Sequence, residues 1–381
     1  MMLALLATGC VKAAEPQSAR STVVEVLARG NDPAYARPTA PIDFEFPRDH
    51  GAHEEYRTEW WYYTGNLTDA NGDEYGYQLT FFRSALTPDE PDRTSDLATN
   101  QVYMAHFAVT DGKANEHRSF DRYSRGAGGL AGASGEPNFE VWLEDWAVTE
   151  IEPGVQQLRA AVVGDGEQEA IALALDLRTT QAPVLHGDRG LSQKGPEVGN
   201  ANYYYSLVRM ATAGELTIGD ETMTVAGLSW MDHEFGTSAL SGETRGWDWF
   251  SVQLDNGAIL MFGEFHDGSG ENRMVYEGSL VTSDGQHFSL GDGDFDLQTR
   301  GEWTSANTGV TYPAGWEVNI PSHAIELSIE PLIPDQEMDV DFIYYEGATE
   351  VNGTMGDAPV AGRGFVELTG YGARDMEEFQ R

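Results

Sequence analysis

From Phe44 onward, short runs of Val, Ile, Tyr, Phe and Trp alternate with polar residues and stop at Gly, Asn and Asp. Successive side chains of a strand point to opposite faces, so this period of two marks half-buried strands. Strands are expected over Tyr75–Arg83, Gln101–Thr110, Phe139–Val148, Gln157–Val163, Ala170–Leu177, Tyr203–Met210 and Leu228–Met231. The same style continues over Asp248–Leu254, Ala258–His266, Met274–Thr282, Gly315–Ile320, Ala324–Ile329, Phe342–Thr349 and Gly362–Leu368. His186–Gly199 reads as a loop. No segment longer than about ten residues has clean 3.6-residue apolar spacing, so no long helix is expected. Strands at roughly ten-residue intervals imply an all-β chain of barrels or sandwiches, and 43 glycines suit sheets that bend and close.

One pattern occurs twice. Glu59-Trp60-Trp61-Tyr62-Tyr63-Thr64-Gly65-Asn66-Leu67 is echoed by Gly246-Trp247-Asp248-Trp249-Phe250-Ser251-Val252-Gln253-Leu254. Trp60 aligns with Trp247, Tyr62 with Trp249, Tyr63 with Phe250 and Leu67 with Leu254. Each copy runs into a polar turn and a second apolar strand. Two related antiparallel units in tandem follow, with aromatic residues on the inner face of a curved sheet that suits an apolar guest. The chain divides into a signal (1–10), a tether (11–40), a first unit (41–235) and a second unit (236–376). The break falls at Gly236–Gly242, which lacks strand character.

The length, 381 residues, fits two cores better than one. The formal net charge of −39, from 62 acidic and 23 basic residues, repels phosphate backbones and makes nucleic acid an unsuitable partner. The single cysteine, Cys10, excludes an internal disulfide. It follows an apolar start and Ala7-Thr8-Gly9, a pattern like a bacterial lipobox, in which the cysteine is lipidated. A lipoprotein of the cell envelope facing the periplasm is expected. A plain secreted protein and a chance apolar start are the alternatives.

Trp230-Met231-Asp232-His233-Glu234-Phe235-Gly236 is the densest polar cluster beside aromatics. As a strand it sends Met231, His233 and Phe235 to one face and Trp230, Asp232 and Glu234 to the other. His233 either does acid–base work or ties strand to loop through a satisfied hydrogen bond. His106 either faces a cavity with Met104 or is an ordinary strand histidine. Glu59, beside two indoles, is either a buried acid or half of a salt bridge to Arg57 or Arg83. Asp69–Asp73 lacks the glycine and terminal glutamate of a calcium loop and reads as a hairpin turn. No nucleophile elbow, zinc-binding His-Glu-x-x-His, phosphate loop or dinucleotide fingerprint is present. No metal or cofactor is expected, and chemistry rests on Asp, Glu, His and Tyr.

Taken with His186-Gly187-Asp188-Arg189-Gly190, Lys194-Gly195, Tyr203-Tyr204-Tyr205-Ser206 and Val366-Glu367-Leu368-Thr369-Gly370-Tyr371, these motifs resemble the AttH-like, carotenoid 1,2-hydratase superfamily. The resemblance implies two lipocalin-like units and a lipophilic small-molecule ligand. It also implies cofactor-free hydration, in which a buried acid protonates an alkene and water adds to the tertiary cation. Some relatives are encoded beside ABC-type exporters, so a non-catalytic accessory lipoprotein is the alternative. In the hydratases the resemblance points to a histidine after aspartate, a tryptophan two residues on, and a later Tyr-x-Asp. Here His233 is kept and Phe235 replaces the tryptophan. The later strand offers only Glu264. The implied catalytic set is His233 as proton donor or shuttle, with Asp232 or Glu59 orienting it or acting as the acid. The implied ligand contacts are Trp60, Tyr62, His106, Tyr204, Trp247, Trp249 and Glu264.

Overall fold

The computed structural model describes residues 34–89, 95, 97–164, 169–237, 244–267, 273–341 and 343–372. Cys10, the signal, most of the tether and the core of the proposed inter-unit break lie outside the described residues. The chain is all-β. Among the described residues the only helices are two three-residue 3₁₀ turns, Arg48–His50 and Pro321–His323, and no helix is long and apolar enough to cross a membrane.

Thirteen strands form the first sheet. Thr58–Asp69, Glu74–Ala85, Gln101–Asp111 and Glu116–Arg125 make an antiparallel meander. The unit ends in a long hairpin, Ala201–Ile218 and Glu221–Gly236, whose second arm returns to lie against Thr58–Asp69. Beyond the hairpin come Ile171–Thr179, Val155–Val162, Trp146–Glu152, Glu140–Leu143 and Ala131–Ser134. Glu140–Leu143 comes back against the meander, and the sheet curls into a nearly closed barrel.

The second sheet repeats the plan as a half-barrel. Gly246–Leu254, Ile259–His266, Arg273–Val281 and His287–Ser289 form its meander. The hairpin Ile343–Met355 and Ala358–Leu368 closes against Gly246–Leu254. Each signature strand therefore lies between the second and the last strand of its own sheet. The register is equivalent as well. Trp60 lies opposite Phe82 and Trp247 opposite Phe265. Tyr62 lies opposite Asp232 and Trp249 opposite Glu367.

Strand alternation sorts the signature residues into three cores. Trp61 and Tyr63 point into the barrel with Leu79, Phe81, Trp146 and Met231. Phe250 and Val252 point into the second unit with Phe262 and Trp316. Tyr62, Tyr204, Trp230, Trp249, Met261 and Phe365 form a third core where the two sheets pack on each other, with Trp60 and Trp247 at its margin. Trp60, Tyr62, Trp247 and Trp249 thus lie between the units and not inside a curved sheet. Each fully buried aromatic contributes about 1.5–3 kcal/mol, so the third core makes the two units interdependent.

Several elements depart from the sequence expectation. Glu116–Arg125 is an edge strand whose residues are all partly or fully exposed, so no apolar alternation marks it. Phe139–Val148 is broken into two strands at Glu144, which adopts a left-handed φ of 56°. The loop after Val184 carries two short pairings with Ala201–Ile218, at Val184–Leu185 and Leu191–Gln193. There Gly187 is at φ 62°, and a Cβ would stand 2.2 Å from the Leu191 carbonyl oxygen, so no other residue fits. The Asp69–Asp73 segment is a hairpin turn, with the Asp73 and Asn71 amides donating to the Asp69 carboxylate.

Candidate functional site

The strand Glu221–Gly236 puts Asp232 and His233 on opposite faces. His233 enters the barrel and is fully buried. Its Nε2 lies 2.9 Å from Glu59 Oε1 and its Nδ1 2.9 Å from Tyr205 Oη. Trp61 stacks on it at 4.9 Å between ring centres. The other carboxylate oxygen of Glu59 accepts from Arg83 Nε at 2.8 Å and from the His53 amide at 2.9 Å, while His53 Nδ1 meets Oε1 at 2.8 Å. Burial works against the Glu59 carboxylate, but Arg83, His233 and His53 outweigh it and hold its pKa well below the usual range. Burial, partly offset by Glu59, lowers that of His233. Glu59 and the nearby Asp49 carboxylate overcome burial and raise His53 to about 9. Every polar atom here is paired, so Glu59 is the salt-bridge partner of Arg83, and His233 ties its strand to the segment 49–59. His53, Glu59 and His233 offer three ligand atoms within 4.8 Å of one another. With Arg83 already on the carboxylate, the cluster is neutralised by its own side chains.

The opposite face of the strand borders a cleft between the units, with a cavity volume of about 80 Å³. That is below the roughly 300–1,000 Å³ of small-molecule pockets, so the cleft side chains must move apart to admit a guest of that size. Its walls come from both signatures: Trp60 and Tyr62 from one, Trp247 and Trp249 from the other. Their cross-strand partners Phe82 and Phe265 extend the apolar surface, with Tyr276 beside them. The polar groups are Asp232, Glu234, Glu367, Lys194, Asn202 and Thr80.

Asp232 accepts from Trp230 Nε1 at 2.6 Å, from Tyr204 Oη at 3.1 Å and from Ser206 Oγ. Tyr204 in turn accepts from Trp249 Nε1 at 3.2 Å, so the acid of one unit is braced by an indole of the other. Burial nevertheless pushes Asp232 up to about 7. Glu367 occupies the equivalent place in the second unit. It accepts from Trp247 Nε1 at 3.1 Å, and burial pushes it too up to about 7. Behind it, on the adjacent strand, Glu346 accepts from Tyr62 Oη at 2.6 Å; burial and the neighbouring Glu367 raise it well above the usual carboxyl range. Glu234 is ion-paired with Lys194 at 3.0 Å and accepts from Asn202 at 2.8 Å. The Lys194 ammonium also lies over the rings of Tyr204 and Tyr276.

The structure therefore gathers Asp232, Trp60, Tyr62, Trp247 and Trp249 around one cleft, with Tyr204 buried behind Asp232. It does not bring His233 or Glu59 there, and Asp232 does not orient His233. His106 does not line the cleft; its Nδ1 lies 2.6 Å from Tyr344 Oη and its ring against Phe82. Burial drops it to about 3, so it is neutral. Glu264 points to the far side of its strand and meets Arg273 at 3.3 Å beside Asp248; its neighbour Phe265 takes the cleft position. Glu367, Glu346 and Lys194 are cleft-side groups with no role in the sequence expectation. Glu367 and Lys194 stand in the signature motifs, and the repeat itself marks Glu367 through the pairing Tyr62–Asp232 and Trp249–Glu367.

Two tandem barrel-like sheets closed by aromatic signature strands, with buried carboxyls in the cleft between them, define the class. The AttH-like family model matches residues 37–371, and the chain belongs to that family. A kievitone hydratase from Fusarium solani subsp. phaseoli is 22% identical over 226 residues, covering 56% of this chain and 63% of the relative. The aligned part is thus less than two thirds of that relative's length. Among solved structures, an AttH protein from Nitrosomonas europaea is 30% identical with a TM-score of 0.76, over 88% of this chain and all of that one. The kievitone hydratase of Nectria haematococca has the same fold, with a TM-score of 0.65 at 15% identity over 89% of this chain and 96% of that one.

Proposed function

We propose that the protein is a hydratase-type enzyme that adds water to a carbon–carbon double bond of a lipophilic substrate held between its two units. The observation that carries this reading is the pair of buried carboxyls, Asp232 and Glu367, held near neutrality in an aromatic cleft. A carboxylic acid that keeps its proton near pH 7 is a fitting general acid for an alkene. Trp60, Trp247 and Trp249 would stabilise a tertiary cation through their ring faces. The hydratase relatives support the same chemistry. The apolar start and Cys10 support export as a lipoprotein, which would bring the enzyme to substrates in the envelope.

The test uses the full chain, cis-parinaric acid as a fluorescent binding probe, and a panel of alkenes bearing a gem-dimethyl terminus. Asp232→Asn should lower turnover by about 100-fold or more while leaving probe affinity and the unfolding midpoint near wild type. Binding without turnover by the wild-type protein across the panel would sink the enzyme reading and favour a carrier serving an exporter.

A further inference from the structure

The two carboxyls that the repeat places in the cleft have different surroundings, and the difference separates their roles. Asp232 accepts three hydrogen bonds, from Trp230 Nε1, Tyr204 Oη and Ser206 Oγ. The indole can only donate, and three donors favour the carboxylate. The single donor to Glu367 among the described residues is Trp247 Nε1, at 3.1 Å to Oε2. That indole occupies one oxygen as an acceptor, which leaves the other to carry a proton. Burial and one further carboxylate oppose a charge on Glu367. Glu234 acts on it from the first unit, while its cross-strand partner Glu346 is kept protonated by burial and carries no charge. Lys194 pairs with Glu234 and not with Glu367.

We propose that Glu367 is the proton donor and Asp232 the base of one acid–base pair, each unit contributing one member from the same register position. The proposal rests on the hydratase reading for its chemistry. In the forward direction the π electrons of the alkene take the Glu367 proton, forming a C–H bond and leaving Glu367 as carboxylate and the substrate as a tertiary cation. A water oxygen then forms the C–O bond, and its proton goes to the Asp232 carboxylate. One proton has left Glu367 and one has arrived at Asp232, so its return to Glu367 through cleft water completes the cycle without a cofactor.

Infrared spectroscopy of the full chain reads the assignment without any substrate. The carbonyl stretch of protonated carboxylic acids at near-neutral pH should lose a component in Glu367→Gln and be kept in Asp232→Asn. Loss in Asp232→Asn alone, or in neither variant, overturns the assignment. Should Glu367→Gln fail to fold, Trp247→Phe removes the donor and should move that component to higher frequency; no movement overturns it equally. With an alkene that the wild type hydrates, reaction in D₂O adds a second arm. Asp232→Asn should still place deuterium on the substrate carbon without making alcohol, whereas Glu367→Gln should do neither, at a loss of about 100-fold or more. The opposite pattern rejects the roles while leaving the hydratase reading intact. A wild type inert to alkenes rejects that reading, and the infrared result still decides the protonation states.

Discussion

His233 and Asp232 are adjacent in sequence, yet the strand that carries them faces two environments. On the His233 side, Glu59, Arg83, His53 and Tyr205 pair with one another inside the barrel. On the Asp232 side, carboxyls gather with one lysine against aromatic rings. The barrel face uses charge to fasten the segment 49–59 to the sheet. The cleft face instead holds acids that burial pushes up to about 7. A titratable residue beside tryptophan is therefore no guide to function until its face is known. The guide is whether an opposite charge already satisfies it.

The contrast is sharpest at Trp60 and Trp61. Trp61 is fully buried and its Nε1 donates to the His50 carbonyl at 2.7 Å. Trp61→Ala should cost about 3–5 kcal/mol in chemical unfolding, whereas Trp60→Ala on the cleft side should cost far less and instead weaken cis-parinaric acid binding. Equal losses of stability would erase the distinction between the faces.

Next in size is the ion pair. Glu59→Gln leaves the buried Arg83 guanidinium without its counter-charge, and the expected loss is about 3 kcal/mol in urea titration. Retained stability together with loss of turnover would move Glu59 into the catalytic machinery.

The smallest effect is a pH slope. His53 has a folded pKa of about 9, above its ordinary 6.5. Its contribution is thus fully present below about 6.5 and is lost as pH rises through about 9. The unfolding midpoint should decline over that window, and His53→Gln should flatten the decline. An unchanged slope in the variant would show that the His53–Glu59 contact carries no charge.

Much of the fold was legible because strand alternation is local. The period of two gave the two faces of Trp230–Gly236 correctly, and the repeated signature gave two like units. Glu116–Arg125 was missed because an exposed edge strand needs no apolar face. The break at Glu144 was missed because a left-handed non-glycine residue leaves little trace in composition. At the site, the tryptophans and Asp232 were legible as aromatic and acidic positions of one motif. His233 and Glu59 lie inside the barrel and Glu264 lies on Arg273 through contacts that no local pattern encodes.

By itself the sequence determined the strand period, the internal repeat and the residue types available for chemistry, all properties of neighbours along the chain. Tertiary structure decided that the signature aromatics meet between the units, that Arg83 neutralises Glu59, and that Asp232 and Glu367 share a cleft. Those outcomes depend on contacts across tens to hundreds of residues, where burial and opposite charge set each carboxyl's protonation, and no local pattern encodes them.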